Sequence, residues 1–264
     1  MLEFCSLYSG STGNSLLVKS NNTKLLIDAG ISKKKIIDAL KLNNIELTQI
    51  DAILVTHEHT DHIHSIGTIS NGYNIPVYAN EKTWSVIPTK QKEKISTQNQ
   101  KVFLVSQKFL IGDIEILPFS IPHDAVDPCG FNIYNNNTKI SIATDLGHVT
   151  PSILENLKNS SFVLLESNYD PDILKYCTYP ASLKKRIIGP NGHLSNILAS
   201  KTISELVPTG LKSVMLGHLS KENNFPELAY KTVIEQLVLN NINEDTINLS
   251  VASRFSPTPM IKIS

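Results

Sequence analysis

His57-Glu58-His59-Thr60-Asp61-His62, directly after the apolar stretch Ala52-Ile53-Leu54-Val55-Thr56, decides the reading of this chain. Four metal-ligand side chains fall within six residues, and imidazole and carboxylate are donors that suit zinc, manganese or iron. His57 and His59 are two apart. In a helix that spacing turns them to nearly opposite sides, whereas at an extended strand end they share a face and can grip one ion. Asp61 and His62 follow at once. From the first turn of a helix beginning near Asp61 they project to a different point, where a second ion roughly 3.5–4 Å from the first would share a bridging water. The bland alternative, a solvated loop with surplus histidines, fits poorly with this density of ligands.

Other strand ends repeat the pattern. Leu25-Leu26-Ile27 runs into Asp28, Ile140-Ser141-Ile142-Ala143 into Asp145, Val163-Leu164-Leu165 into Glu166, and Val214-Met215-Leu216 into His218. In α/β folds ligands bind at the carboxyl ends of buried strands. Five apolar runs that each end on a metal-type or acidic residue therefore argue for one convergent site. His123 and His193 lie outside these runs. Taken alone, each has an ordinary reading as a core or capping histidine.

The chain of 264 residues is long enough for a large core and could form one big α/β domain or two small ones; no polar or Gly/Pro-rich linker divides it, and a single domain over 1–264 is the expectation once the family resemblance given below is added. Lys plus Arg and Asp plus Glu both total 24, which leaves no global charge to argue for nucleic acid or membrane. Arg186 and Arg254 are the only arginines, so any positive groove depends on lysines such as Lys33-Lys34-Lys35, Lys82 to Lys94 and Lys184-Lys185. Three scattered cysteines, Cys5, Cys129 and Cys177, make no disulfide framework and fit a reducing compartment. No apolar run reaches the roughly 18 residues of a membrane span, and the N-terminus lacks a signal-peptide pattern. A cytoplasmic protein without membrane contact is expected. The sequence identifies no protein partner.

The spacing predicts strands over 3–8, 15–19 and 24–28, and a helix capped by Ser32 that ends around Asn43-Asn44. A strand over 51–56 delivers the histidine run, and a helix follows to about Ser70. The Gln- and Lys-rich stretch after Ile87 reads as a mobile connection. Strands are predicted over 102–105, 114–117, 131–134, 139–144, 162–166 and 213–217, with a final β segment over 247–252. Helices are predicted over 195–206 and 226–239, the latter capped by Asn224.

With these residues in view, the chain resembles the metallo-β-lactamase superfamily, whose signature is H-x-H-x-D-H after a strand followed by a further His, an Asp and a final His. His57, His59, Asp61, His62, His123, Asp145 and His218 match that order, and Asp28 matches the early strand-end acid. The resemblance spans most of the chain and implies an α/β fold of the four-layer αββα sandwich type. His123 ahead of Gly130-Phe131, the Gly192-His193-Leu194-Ser195 motif and His218-Leu219-Ser220 resemble the phosphodiesterase branch that includes RNase Z. Leu7 to Ser15, Leu165 to Asp170 and His218 to Asn224 are closer still to the YycJ/WalJ-like subgroup, which is associated with nuclease activity, including 5′ to 3′ exonuclease action on DNA. One departure is visible: Ser65 stands where the superfamily commonly has Gly, with Gly67 two residues on.

The resemblance implies two divalent ions (Zn, Mn or Fe). His57, His59 and His123 would hold one, Asp61, His62 and His218 the other, and Asp145 would bridge both. A bridging hydroxide would then attack a phosphodiester of a nucleic acid substrate, which the resemblance implies is DNA. His193 lies outside the ligand set, and the resemblance makes it the acid that protonates the leaving oxygen. Asp61 and Glu166 are the other candidate catalytic residues, Glu166 as the group fixing the His193 tautomer, and Asp28 is expected to orient a ligand histidine. The Ser9-Gly10-Ser11-Thr12-Gly13-Asn14 turn has two readings: a tight hairpin, or a phosphate nest in which Ser11 and Asn14, with Ser195 elsewhere, contact substrate. Competing functions are a hydrolase of a small substrate (cyclic phosphodiester, lactone or thioester) and a non-catalytic metal-binding interaction module or diiron redox partner. The intact ligand set, with His59 rather than Glu at the second signature position, favours catalysis.

Overall fold

The computed structural model describes residues 1–263, which form two compact units. The first comprises Met1–Ser120, Ala125–Thr138 and the C-terminal stretch from Ser253; the second comprises Ile121–Asp124 and Lys139–Ala252. The strands belong to two mixed seven-stranded sheets.

In the first unit, β1 (Leu2–Tyr8), β2 (Ser15–Lys19) and β3 (Lys24–Ile27) form the expected antiparallel meander. β4 (Ala52–Leu54), β5 (Val77–Asn80) and β6 (Gln100–Phe103) then add in parallel. Ile27 lies opposite Leu54, so Asp28 and the residues leading to His57 leave the sheet side by side, and the ladder continues as the Asp28 amide donates to the Leu54 carbonyl at 2.8 Å. Leu25, Leu26, Ile27, Ile53 and Leu54 are all fully buried, the unbroken apolar pattern of a parallel strand covered on both faces. β7 (Phe109–Ile111), β8 (Ile114–Ser120) and β9 (Cys129–Asn135) form a second antiparallel meander in this unit.

In the second unit, β10 (Thr138–Ala143), β11 (Phe162–Glu166), β12 (Ser213–Gly217) and β13 (Asn248–Val251) are all parallel. Ala143 pairs with Leu165, and Glu166 with Gly217. That register brings Asp145, Glu166 and His218 to one end of the sheet. Pro-initiated helices cross between strands, among them Pro151–Leu157, Pro171–Tyr176 and Pro226–Leu239. β14 (Ile261–Ile263) returns to the first unit and pairs antiparallel with β1.

Several expectations need correction. The helix after the histidine run is two pieces, Thr60–Ile63 and Ile66–Tyr73, because the Ser65 hydroxyl donates to the Ile31 carbonyl at 2.6 Å and its amide to Ala29 at 2.8 Å. The Gln/Lys-rich stretch contains a helix at Thr89–Lys92, and the Gln91 side chain ties it to the break by donating to His64 O and accepting from the Gly67 amide. Phe225, not Asn224, is the N-cap of the last long helix; the Asn224 amide is turned inward to the carbonyls of Ser167 and Asn168. The segment expected to complete the strands is followed by a further one, β14. No helix among the described residues is long and apolar enough to cross a membrane.

Candidate metal centre

In the first unit, Asp28 organises the histidine run from its strand end. Its φ of 62° is left-handed, a conformation Asp tolerates better than most residues. Its Oδ1 accepts the Thr56 amide at 2.9 Å, and its Oδ2 accepts the Thr56 hydroxyl at 2.8 Å and lies 2.7 Å from His62 Nδ1. With the Thr56 hydroxyl proton committed to Asp28, its oxygen is left to accept from His57 Nδ1 at 3.0 Å. One carboxylate therefore fixes His62 directly and His57 through Thr56. The three imidazoles cluster, with ring centroids 4.6 Å apart for His57 and His59 and 4.1 Å for His57 and His62. Asp61 stands in the first helical turn beside His62, as the spacing predicts.

Asn14 joins the same cluster. Its side-chain amide lies 3.0 Å from His62 Nε2 and 3.5 Å from Asp61 Oδ2, and its backbone amide donates to the Asp61 carbonyl at 2.8 Å. The glycine-rich turn thus braces the Asp61-His62 pair from below, while Ser11 at its tip is exposed. Gly30 makes that approach possible, since a Cβ there would stand 1.5 Å from the Asp61 carbonyl oxygen.

In the second unit, Glu166 has the corresponding organising role. It is fully buried, with Oε1 2.7 Å from His193 Nδ1 and 2.9 Å from His218 Nδ1, while Oε2 accepts the amides of Leu146 at 2.8 Å and Leu194 at 3.2 Å. Burial pushes this carboxyl up, but the charge and hydrogen bond of His193 and the hydrogen bond of His218 outweigh it and hold it below the ordinary value. For His193 burial works downward, and Glu166 more than reverses it, so this imidazole stays protonated to higher pH than usual. Asp145 and His218 are both left-handed, at φ 58° and 55°. For a histidine that is uncommon, and Asn168 secures it by donating to the His218 carbonyl at 2.8 Å.

His123 completes the second unit's set. Its Nδ1 lies 3.2 Å from the Gly192 carbonyl, and its Nε2 lies 3.8 Å from Asp145 Oδ1, the same oxygen that stands 3.4 Å from His218 Nε2. Burial lowers its pKa more than Asp145 raises it, which favours the neutral imidazole a cation needs. Ligand atoms of Asp145, Glu166, His193 and His218 all lie within 4.8 Å of one another.

A common feature runs through both sets. His57, His62, His123 and His218 each have Nδ1 held by an oxygen, from Thr56, Asp28, Gly192 and Glu166 respectively. This is the arrangement in which a ring is locked in one tautomer with its lone pair on Nε2, the atom a metal takes; at His62 that atom faces the Asn14 side-chain amide, and the donor set as a whole fits a divalent cation. Ser195 is buried, and its hydroxyl accepts the Leu198 amide as the N-cap of helix Asn196–Leu206. Sequence reasoning missed Thr56 and Asn168. Their only signal is position, one residue before His57 and two after Glu166.

Residues 23–218 match the family described as the Beta-lactamase superfamily domain, and the chain belongs to that family. It is 38% identical over 236 residues to exodeoxyribonuclease WalJ of Streptococcus pneumoniae, covering 89% of this chain and 88% of that protein. It is 39% identical over 243 residues to exodeoxyribonuclease YycJ of Bacillus anthracis, covering 89% of each. Among solved structures, the metallo-β-lactamase fold protein YhfI from Bacillus subtilis aligns with a TM-score of 0.71 at 16% identity, over 97% of this chain and 98% of that one. The fold is therefore the metallo-β-lactamase fold.

Proposed function

We propose that this chain is a divalent-metal phosphodiesterase that degrades DNA as an exonuclease, in the 5′ to 3′ direction, with both units acting as one catalytic domain. The observation that carries the reading is a cluster of histidines and carboxylates at strand ends, several of the histidines held at Nδ1, in a chain 38–39% identical to two exodeoxyribonucleases over most of its length. His57, His59 and His123 hold one cation in this reading; Asp61, His62 and His218 hold the second; Asp145 serves both. Zinc, manganese and iron all suit these donors. Bound cations would supply an acidified water as nucleophile and neutralise the phosphodiester charge.

The chain's own groups do the rest. Asp28 and Thr56 keep His62 and His57 in one tautomer, and Glu166 does the same for His218. His193 is held by Glu166 at Nδ1, which leaves Nε2 as the atom from which a proton reaches the leaving oxygen. Glu166 raises its pKa above the ordinary value and so favours the protonated form. Ser11, exposed on the turn that Asn14 anchors, is the substrate-facing group of the first unit.

The test is to purify the protein with each metal and offer end-labelled single- and double-stranded DNA, RNA and bis(4-nitrophenyl) phosphate in parallel, together with Asp145→Asn and His193→Ala. Stepwise release of mononucleotides from DNA, abolished by Asp145→Asn, is expected. His193→Ala should lower turnover about 10²-fold or more. Cleavage of the small ester without any polymer would favour the small-substrate hydrolase instead.

A further inference from the structure

In the second unit, the segment that follows Asp145 leads away from the histidines to a separate cavity. The Leu146 amide is held by Glu166, the Gly147 amide donates to Pro122 O at 2.9 Å, and His148 Nδ1 lies 2.9 Å from Pro190 O. A Cβ on Gly147 would come within 2.1 Å of that same Pro190 oxygen, so the segment lies tight against the turn that precedes His193. Thr150 then caps helix Pro151–Leu157.

A cavity of about 380 Å³ opens next to this segment, lined among others by His148, Val149, Pro151, Leu154, Leu198 and Lys201. The volume is in the range of small-ligand sites. Its walls are largely apolar, yet they stay open to solvent: Leu198 is 41% exposed, and the adjacent Ile197 43%. His148 and Lys201, both exposed, put an imidazole and an ammonium on the lining, against the single acid Glu205. Apolar walls with a cation at the edge match a nucleotide, whose base has a flat apolar face and whose phosphate is an anion. His148 is three residues beyond Asp145, at most about 11 Å along the chain, so one strand can reach both.

We propose that this cavity is a nucleotide subsite, which takes an unpaired base of a DNA strand against Leu154, Leu198 and the His148 ring, with the adjoining phosphate on Lys201. The proposal rests on the nuclease reading above and adds to it a place where single-stranded DNA is gripped beside the reacting bond.

Leu198→Glu and Lys201→Glu test it, since both positions are exposed and neither belongs to the metal centre. Steady-state kinetics are measured on a single-stranded oligonucleotide and on bis(4-nitrophenyl) phosphate, and a 5-iododeoxyuridine oligonucleotide is photocrosslinked to the wild type and mapped by mass spectrometry. Each variant should raise KM for the oligonucleotide roughly ten-fold while hydrolysis of the small ester is unchanged, and the crosslink should fall within 148–154 or 197–202. An unchanged KM with a crosslink elsewhere overturns the subsite. Equal losses on both substrates also overturn it, because the damage has then reached the metal centre. A wild type that cleaves the small ester but no DNA overturns the nuclease reading itself and the subsite with it.

Discussion

Asp28 Oδ2 and His62 Nδ1 are 2.7 Å apart, and the same carboxylate oxygen accepts the Thr56 hydroxyl that in turn faces His57 Nδ1 at 3.0 Å. Two neighbouring imidazoles are thus oriented by one buried acid. Asp28→Asn keeps the size and the tolerance of left-handed φ but removes the charge that fixes the His62 tautomer. Metal affinity should fall about 10- to 100-fold, read by titration against a competing chelator. The wild-type melting temperature should drop on adding EDTA, and the drop should be smaller for Asp28→Asn, whose metal stabilises the folded state less. Equal metal affinity in the two proteins would show that Asp28 is only a strand-end acid.

Glu166 links His193 to His218 in the second unit, and its removal has a directional effect on pH behaviour. The His193 pKa is raised in the folded protein, so its stabilising contribution is complete below the ordinary value of 6.5 and is lost as pH rises through the higher folded value. The Glu166 pKa is lowered, so its contribution is present above the ordinary 4.5 and is lost as pH falls through the lower folded value. Glu166→Gln abolishes both. In metal-free protein, the NMR titration of His193 should move to lower pH than in the wild type. Turnover on DNA should also fall, by about 10-fold or more. An unmoved His193 titration would remove Glu166 from its positioning role.

Lys139 gives a second pH signature, far from the histidines. Its ammonium donates to the carbonyls of Asn156 at 2.6 Å and Lys158 at 2.7 Å, yet burial lowers its pKa from 10.5 to about 8. Between those values the unfolded chain binds the extra proton, so this group makes stability rise with pH across that window. Urea denaturation of the wild type and Lys139→Met at pH 7.5 and 10 should show that the wild type gains stability relative to the variant as pH increases. A constant difference would mean that the ammonium is well enough solvated by its carbonyl partners to keep its ordinary pKa.

The strand ends are legible in the sequence because parallel strands buried on both faces read as unbroken apolar runs, and the residue that interrupts each run must leave the sheet. That logic reaches Asp28, His57, Asp145, Glu166 and His218. It does not reach β7 and β14, three-residue strands at the sheet edges whose residues are mostly half-buried or exposed. Nor does it reach Thr56, Asn168 or the bracing role of Asn14. Each acts through hydrogen bonds to partners distant in sequence, 28, 50 and 48 residues away for the bonds to Asp28, His218 and His62. The break at Ser65 is hidden for the same reason, since its cause is the carbonyl of Ile31, 34 residues earlier.

Gly30 lies between the N-terminal turn and the histidine run. Its amide donates to Asn14 O at 2.8 Å, and a Cβ on it would lie 1.5 Å from the Asp61 carbonyl oxygen and 2.7 Å from the His62 amide nitrogen. These are backbone atoms, so a flexible side chain cannot relieve the clash; either the Asp61-His62 backbone or the strand end of Asp28 must move. Gly30→Ala should therefore cost about 3 kcal/mol or more, the range of overpacking in a site that cannot relax, measured by urea denaturation. Because the Asn14 amide also donates to the Asp61 carbonyl, the displacement should carry Asp61 and His62 with it. Metal content of the folded fraction should fall below that of the wild type. Gly72→Ala, in helix Ile66–Tyr73 and with the Lys33 ammonium nitrogen at 4.0 Å as the nearest atom to a Cβ, serves as the control: it should leave metal content unchanged and should not destabilise, gaining up to about 1 kcal/mol from helix propensity.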